Sequence, residues 1–179
     1  MQYCPRLGGY SLFELMMTLA LISLILTLGI PSFSSIVANN GLRTEVNALF
    51  HAVHLARKDS IVRRRAVTIC PSHDGLNCAA GNDWSGGWMR FVNNDRDSPP
   101  VRDIDEAVLQ HHEVAKNSRI VANRRAFTLR TTALRATNGT LIFCDRQDRA
   151  TPRALVISYT GRPRVAYADR RGSPYRCPD

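Results

Sequence analysis

Lysine is almost missing from this chain. Lys58 and Lys116 are the only two among 24 basic residues, so the other 22 are arginines. Acidic side chains are also short, 15 against 24, which leaves a net charge of +9 and favours an anionic partner. Such a balance favours nucleic acid, acidic lipid or an acidic protein face. Arginine in place of lysine suits bidentate phosphate contact, although a GC-rich genome produces the same bias. With 11 Gly and 9 Pro in 179 residues, and 44% hydrophobic side chains, collagen-like, low-complexity and largely disordered chains are excluded. No internal repeat or long linker is visible, and one modest domain is the expectation. G-x-S-x-G, the Walker loop, H-E-x-x-H and the dinucleotide fingerprint are all absent, so no enzyme is expected.

Charge is missing altogether from Leu15 to Leu42, and the segment Leu15 to Ile30 is nearly all apolar. At about 1.5 Å per residue such a helix is long enough to cross a hydrocarbon layer about 30 Å thick. A cleaved secretory signal, a permanent anchor and a helix that leaves the bilayer to pack on copies of itself all fit that length. Glu14 separates them, because a carboxylate at the head of a lipid-facing run is costly unless a cation pairs with it. Gly29-Ile30-Pro31 predicts a kink or local melting. Beyond it Leu42, Val46, Leu49, Val53 and Ala56 recur at spacings of four and three, one helical stripe that should pack on a sheet. Asn39, Asn40 and Gly41 divide an anchor half from a domain half. Arginines flank both ends of the apolar run, so charge bias does not orient it.

Seven short runs read as strands: Ala66–Cys70, Gly87–Val92, Ala107–His112, Phe127–Leu129, Gly139–Cys144, Arg153–Ser158 and Arg164–Tyr167. A long helix followed by antiparallel strands is an α+β arrangement. Cys4 lies near the N-terminus, leaving Cys70, Cys78, Cys144 and Cys177, which allow three pairings. Cys70 and Cys78 bracket one loop, and Cys144 and Cys177 bracket the C-terminal third, so these two local bridges are favoured. The spacings do not suit a zinc site, and an exported, oxidised domain follows.

Gly8-Gly9-Tyr10-Ser11-Leu12-Phe13-Glu14-Leu15, after a short leader holding Arg6, resembles the class III prepilin signal of type IV pilins and type II secretion pseudopilins. The resemblance implies cleavage after Gly9 by a prepilin peptidase and methylation of the new amino terminus on Tyr10, where family members usually have Phe. It also implies that Glu14 meets the N-terminal ammonium of a neighbouring subunit, which supplies the missing cation. The chain then divides into a leader, 1–9, a transmembrane and assembly helix, 10–41, and a globular head, 42–179. The head would face the periplasm from the inner membrane before joining other pilins in a filament.

A second resemblance covers most of the chain. Asp83-Trp84-Ser-Gly-Gly87-Trp88-Met-Arg-Phe91-Val92 and Ile157-Ser158-Tyr-Thr-Gly161-Arg162-Pro-Arg164-Val165 look like the domain shared by minor pilins of the FimT/FimU type and the pseudopilin GspH. Within that group a late Gly-Arg-x-Arg turn marks the FimT branch, implicated in binding DNA for natural transformation. Gly161-Arg162-Pro163-Arg164 fits it at each defined position.

Gly161 is free to take positive φ and Pro163 fixes its own, so this turn holds two arginines outward at low entropic cost. Residues 145–179 carry eight arginines, among them Arg153, Arg162, Arg164, Arg170, Arg171 and Arg176, against four aspartates. Guanidinium forks on a stiff loop match phosphate oxygens without reading sequence. Tyr167 and Tyr175 are expected in the core rather than stacked on bases. Arg63-Arg64-Arg65 reads as a helix end, where cations complement the dipole. His51 and His54, and His111-His112-Glu113, lack three convergent ligands, so no metal or other cofactor is expected. Asn93, Asp95 and Asp97 read as Asx-turns. The alternative to a DNA-binding head is a structural subunit of the FimU or GspH kind, whose basic face docks an acidic neighbour.

Overall fold

The computed structural model describes residues 9–131 and 135–178, and at 28–31 it describes the backbone. Gly8 and the leader residues before it, including Cys4 and Arg6, lie outside the described residues. Helix α1, Leu12–Arg63, opens at Ser11, whose hydroxyl accepts the Glu14 N–H at 3.2 Å. A serine there satisfies a donor that has no partner in the first turn. The helix runs on through 28–31, so no melting occurs at Gly29-Ile30-Pro31. A proline removes only one hydrogen bond of many. At the far end Arg63 sits in the last turn and Arg64 turns left-handed, φ 53°, which ends the helix.

The chain divides into two compact units, 1–37 and 38–179. The second begins four residues before Leu42, because Ala38 still packs on the core. In the first unit the side chains of Leu15, Leu19, Ile22 and Leu26 are more than half exposed.

In the second unit, eight strands follow the helix: β1 (Ala66–Pro71), β2 (Trp88–Asn93), β3 (Val108–His112), β4 (Ser118–Ala122), β5 (Phe127–Leu129), β6 (Gly139–Asp145), β7 (Arg153–Ile157) and β8 (Pro163–Ala166). Strand β4 was invisible in the sequence. They form two antiparallel sheets, ordered β3-β2-β1-β5 and β4-β6-β7-β8. Leu42, Val46, Leu49, Val53 and Ala56 are all buried, and they join one core with Val67, Ile69, Phe127 and Leu129 of the first sheet and Ile120, Leu141, Phe143, Leu155 and Ile157 of the second. The period of the helix stripe therefore matches two strand faces of period two. Arg90 on this inner face pairs with Asp59 of α1.

Strand β1 is buried on both faces. Behind it Cys70, Met89 and Phe91 form a smaller cluster, and the Thr68 and Thr128 hydroxyls meet at 2.9 Å. The Cys70–Cys78 disulfide holds the 72–79 loop against this cluster, and Cys144–Cys177 ties the C-terminal tail to β6.

The segment Asp83–Trp88 joins the sheets. The Trp84 N–H donates to the Ile120 carbonyl at 2.8 Å, and the Ser85 hydroxyl accepts from the Ile120 N–H at 3.0 Å. Both tryptophans are fully buried, Trp84 tilted against Phe127 at 5.6 Å and Trp88 stacked on His112 at 5.0 Å. Gly87, at φ 127°, lies where a Cβ would come within 2.8 Å of the Ser72 and His112 carbonyl oxygens. Position 87, immediately before the second aromatic anchor, must therefore be glycine.

Candidate nucleic-acid interface

Strands β7 and β8 are joined by a tight turn over 158–162. The Ser158 carbonyl accepts from the Gly161 N–H at 2.8 Å, the Ser158 N–H donates to the Arg162 carbonyl at 3.1 Å, and the Ser158 hydroxyl accepts the Arg162 N–H at 3.2 Å. Gly161 is buried with φ 71°, and a Cβ on it would meet Leu129 Cδ1 at 2.8 Å. The turn is thus seated on the first sheet as well as closed on itself. Pro163 opens β8, an edge strand of the second sheet, where a missing N–H costs no ladder bond. Arg162 and Arg164 are left exposed.

Register decides where they point. Leu141, Leu155 and Ile157 face the core, so Thr140, Val156 and Arg164, paired across β6, β7 and β8, lie on the opposite face. The C-terminal tail folds back there. Ala168 bridges Pro174, and the Asp169 carboxylate accepts from the Arg171 N–H at 2.8 Å and the Ser173 N–H at 2.9 Å. This Asx-type loop, with Gly172 at φ 84°, holds Arg170 and Arg171 exposed at its tip. Between loop and sheet lies a groove of about 520 Å³ lined by Arg164, Arg170, Arg171, Thr140 and Tyr175, among others. Among the described residues its one carboxylate is that of Asp169, which accepts from the loop's own backbone.

Of the arginines singled out in the sequence, Arg164, Arg170 and Arg171 converge on this groove; Arg162 and Arg176 are exposed without lining it. Arg153 does not belong to the surface. It is 6% exposed on the core-facing side of β7, with its guanidinium 5.5 Å over the Tyr167 ring, so it is closed to a phosphate. Tyr167 departs from the core placement expected of it, being 55% exposed above that guanidinium, and Tyr175 is half-buried in the groove wall. Arg149 is engaged elsewhere. It grips the Asp145 carboxylate at 3.1 Å through two nitrogens, and this bond, aided by the Arg149 and Gln147 N–H groups, holds the Asp145 carboxyl below its ordinary range.

Asn123 and Asn138, which also line the groove, carried no signal in the sequence; they arrive through long-range bonds such as the Asn123 side-chain oxygen to the Thr140 N–H at 2.9 Å. Gly9 and Tyr10 lie exposed before the helix, and Glu14 is exposed with no ion pair among the described residues. No cluster of three metal-ligating side chains occurs among the described residues. His112 instead meets Glu45 at 2.9 Å. Asn93 accepts the Arg96 N–H at 2.6 Å and Asp95 the Asp97 N–H at 3.2 Å, as Asx-turns do.

The model of the family described as Type II transport protein GspH matches residues 45–161, from the packed half of α1 to the glycine of the arginine turn. The chain belongs to the GspH family. Two crystal structures of the type IV minor pilin FimU from Pseudomonas aeruginosa share its fold at 21% identity. One, at a TM-score of 0.52, covers 71% of this chain and 89% of that one; the other, at 0.50, covers 69% and 91%. A search of curated proteins finds no match. This GspH-family chain thus has the pilin architecture, a long N-terminal helix packed on antiparallel sheets, and an apolar N-terminal run long enough to cross a membrane.

Proposed function

We propose that this protein is a minor pilin of the FimT kind, which binds DNA through the backbone phosphates at the C-terminal arginine groove and serves DNA uptake in natural transformation. The observation that carries the reading is the convergence of Arg164, Arg170 and Arg171 on one groove beside the exposed Arg162, against one carboxylate, Asp169, among the described residues. Guanidinium groups carried on a sheet strand and a closed loop need little backbone ordering on binding, and they favour phosphate over any particular base. The chain would be cut after Gly9 by a prepilin peptidase, methylated on Tyr10, held in the inner membrane by its apolar helix with the head in the periplasm, and drawn into a filament with other pilins through Glu14.

A salt series on the full-length chain in non-ionic detergent, with a mixed-sequence duplex, tests the DNA claim. Each phosphate neutralised contributes about 0.9 to the log–log slope, so Arg162→Gln with Arg164→Gln should lower its magnitude by about 1.8. An unchanged slope in that double variant removes the turn from the interface.

The second reading is a structural subunit of a pilus or secretion pseudopilus, its basic face docked on an acidic neighbour. The family match and the FimU-like fold favour it. Absence of any salt-dependent DNA binding by the parent would select it.

A further inference from the structure

A second groove, of about 280 Å³, lies beside the first and is lined by Arg124, Arg125, Arg130, Thr128 and Asp97, among others. Nothing in the sequence marks these arginines as a group: two precede β5, one follows it, and none lies in the C-terminal region. Among the described residues none of the three takes part in an ion pair. The Nε atoms of Arg125 and Arg130 are buried with no hydrogen-bond acceptor. Among the described residues the groove has one carboxylate, Asp97, which accepts from the Asn93 amide at 2.8 Å and the Val101 N–H at 2.6 Å and pairs with none of the three arginines. Three guanidinium groups against one carboxylate leave the groove net positive, and the buried Nε donors of Arg125 and Arg130, costly while unpaired, gain a partner when an anion enters.

The two grooves share a wall. Asn123 and Asn138 line the first, their chain neighbours Arg124 and Thr137 the second, and the Arg124 Nε donates across the rib to the Asn138 carbonyl at 3.4 Å. An anion long enough to leave one groove therefore meets the other directly across a single rib.

We infer that Arg124, Arg125 and Arg130 form a second phosphodiester site, so that one nucleic-acid backbone runs from the C-terminal groove across the 123–124 rib into the groove beside β5. This rests on the DNA-binding reading above and extends it beyond the Gly-Arg-x-Arg turn. A repeating polyanion fits better than a single small anion, because two separate arginine walls adjoin. Phosphate contacts of this type position the strand without selecting its sequence.

The test compares four full-length chains in detergent, each titrated with the same mixed-sequence duplex over a salt series: the parent, Arg164→Gln/Arg171→Gln, Arg125→Gln/Arg130→Gln, and the quadruple variant. The second-groove pair should lower the slope by about 1.8, as the first-groove pair does, and the quadruple variant by about twice that. Arg125 and Arg130 are half-buried, so Arg124→Glu, at an exposed position, is the companion that keeps the fold, and it should lower the slope by at least about 0.9. Parent-like slopes in Arg124→Glu and in a folded Arg125→Gln/Arg130→Gln, with the first-groove pair impaired, would overturn the second site and leave the first standing. No salt-dependent binding by the parent would overturn both. Displacement of the duplex by polyglutamate at equal charge would assign the groove to an acidic protein and overturn the inference as well.

Discussion

Gly161 does two jobs at one position: it supplies the left-handed backbone the turn needs and leaves room for Leu129. A methyl group there would be strained by its φ and would press on the core at once. Gly161→Ala should cost about 1–3 kcal/mol and lower the thermal midpoint by several degrees in a calorimetric melt. Asp145 makes a prediction of the opposite kind, about pH. Its folded carboxyl is held low by Arg149, so its contribution to stability is complete above the ordinary aspartate value of 3.8 and is lost as pH falls through the folded value. Thermal melts below that value should show the parent losing stability more steeply than Asp145→Asn, and parallel losses would show that the pair contributes nothing. Arg153 shows how residue type misleads. As one arginine among eight it reads as surface charge, yet its strand position turns it inward onto Tyr167.

At the scale of elements, the C-terminal tail forms one wall of the arginine groove but contributes little to the core. Its exposed residues 169–174 hang between β8 and the Cys144–Cys177 bridge. Removing that bridge by Cys144→Ser/Cys177→Ser frees a loop 33 residues apart in sequence, a loss of about 3–4 kcal/mol in the chain-entropy account. The groove should suffer beyond this loss, with weaker DNA binding even where circular dichroism shows the sheets intact. Undiminished binding would show that the tail's arginines do not contribute. Strand β4 explains the limits of pattern at this scale. Ser118–Ala122 is short and carries Arg119, and what makes it a strand is its five-residue pairing with β6 and the bonds from Trp84 and Ser85. The helix stripe needed no such help, because five apolar residues at helical spacing recur over fifteen positions.

For the whole molecule the weight falls on its two units. The head buries its apolar stripe within itself, whereas the N-terminal helix leaves Leu15, Leu19, Ile22 and Leu26 exposed and Glu14 without a cation among the described residues. Such a surface needs lipid or other copies of the helix. If a neighbour's amino terminus pairs with Glu14, Glu14→Ala should still insert into membrane but fail to enter filaments, measured by fractionating sheared fibres from cells. Normal incorporation would remove the ion pair from assembly. The sequence alone determined the α+β class, the buried face of the helix, seven of the eight strands to within a residue or two at their ends, and the membrane-length apolar run, because each is a periodic or continuous pattern written in neighbouring residues. Only the tertiary structure decided which arginines share a groove, which one turns inward, and that Arg124, Arg125 and Arg130 line a second groove adjoining the first. Strand register and long-range backbone bonds set those positions, and no local pattern encodes either.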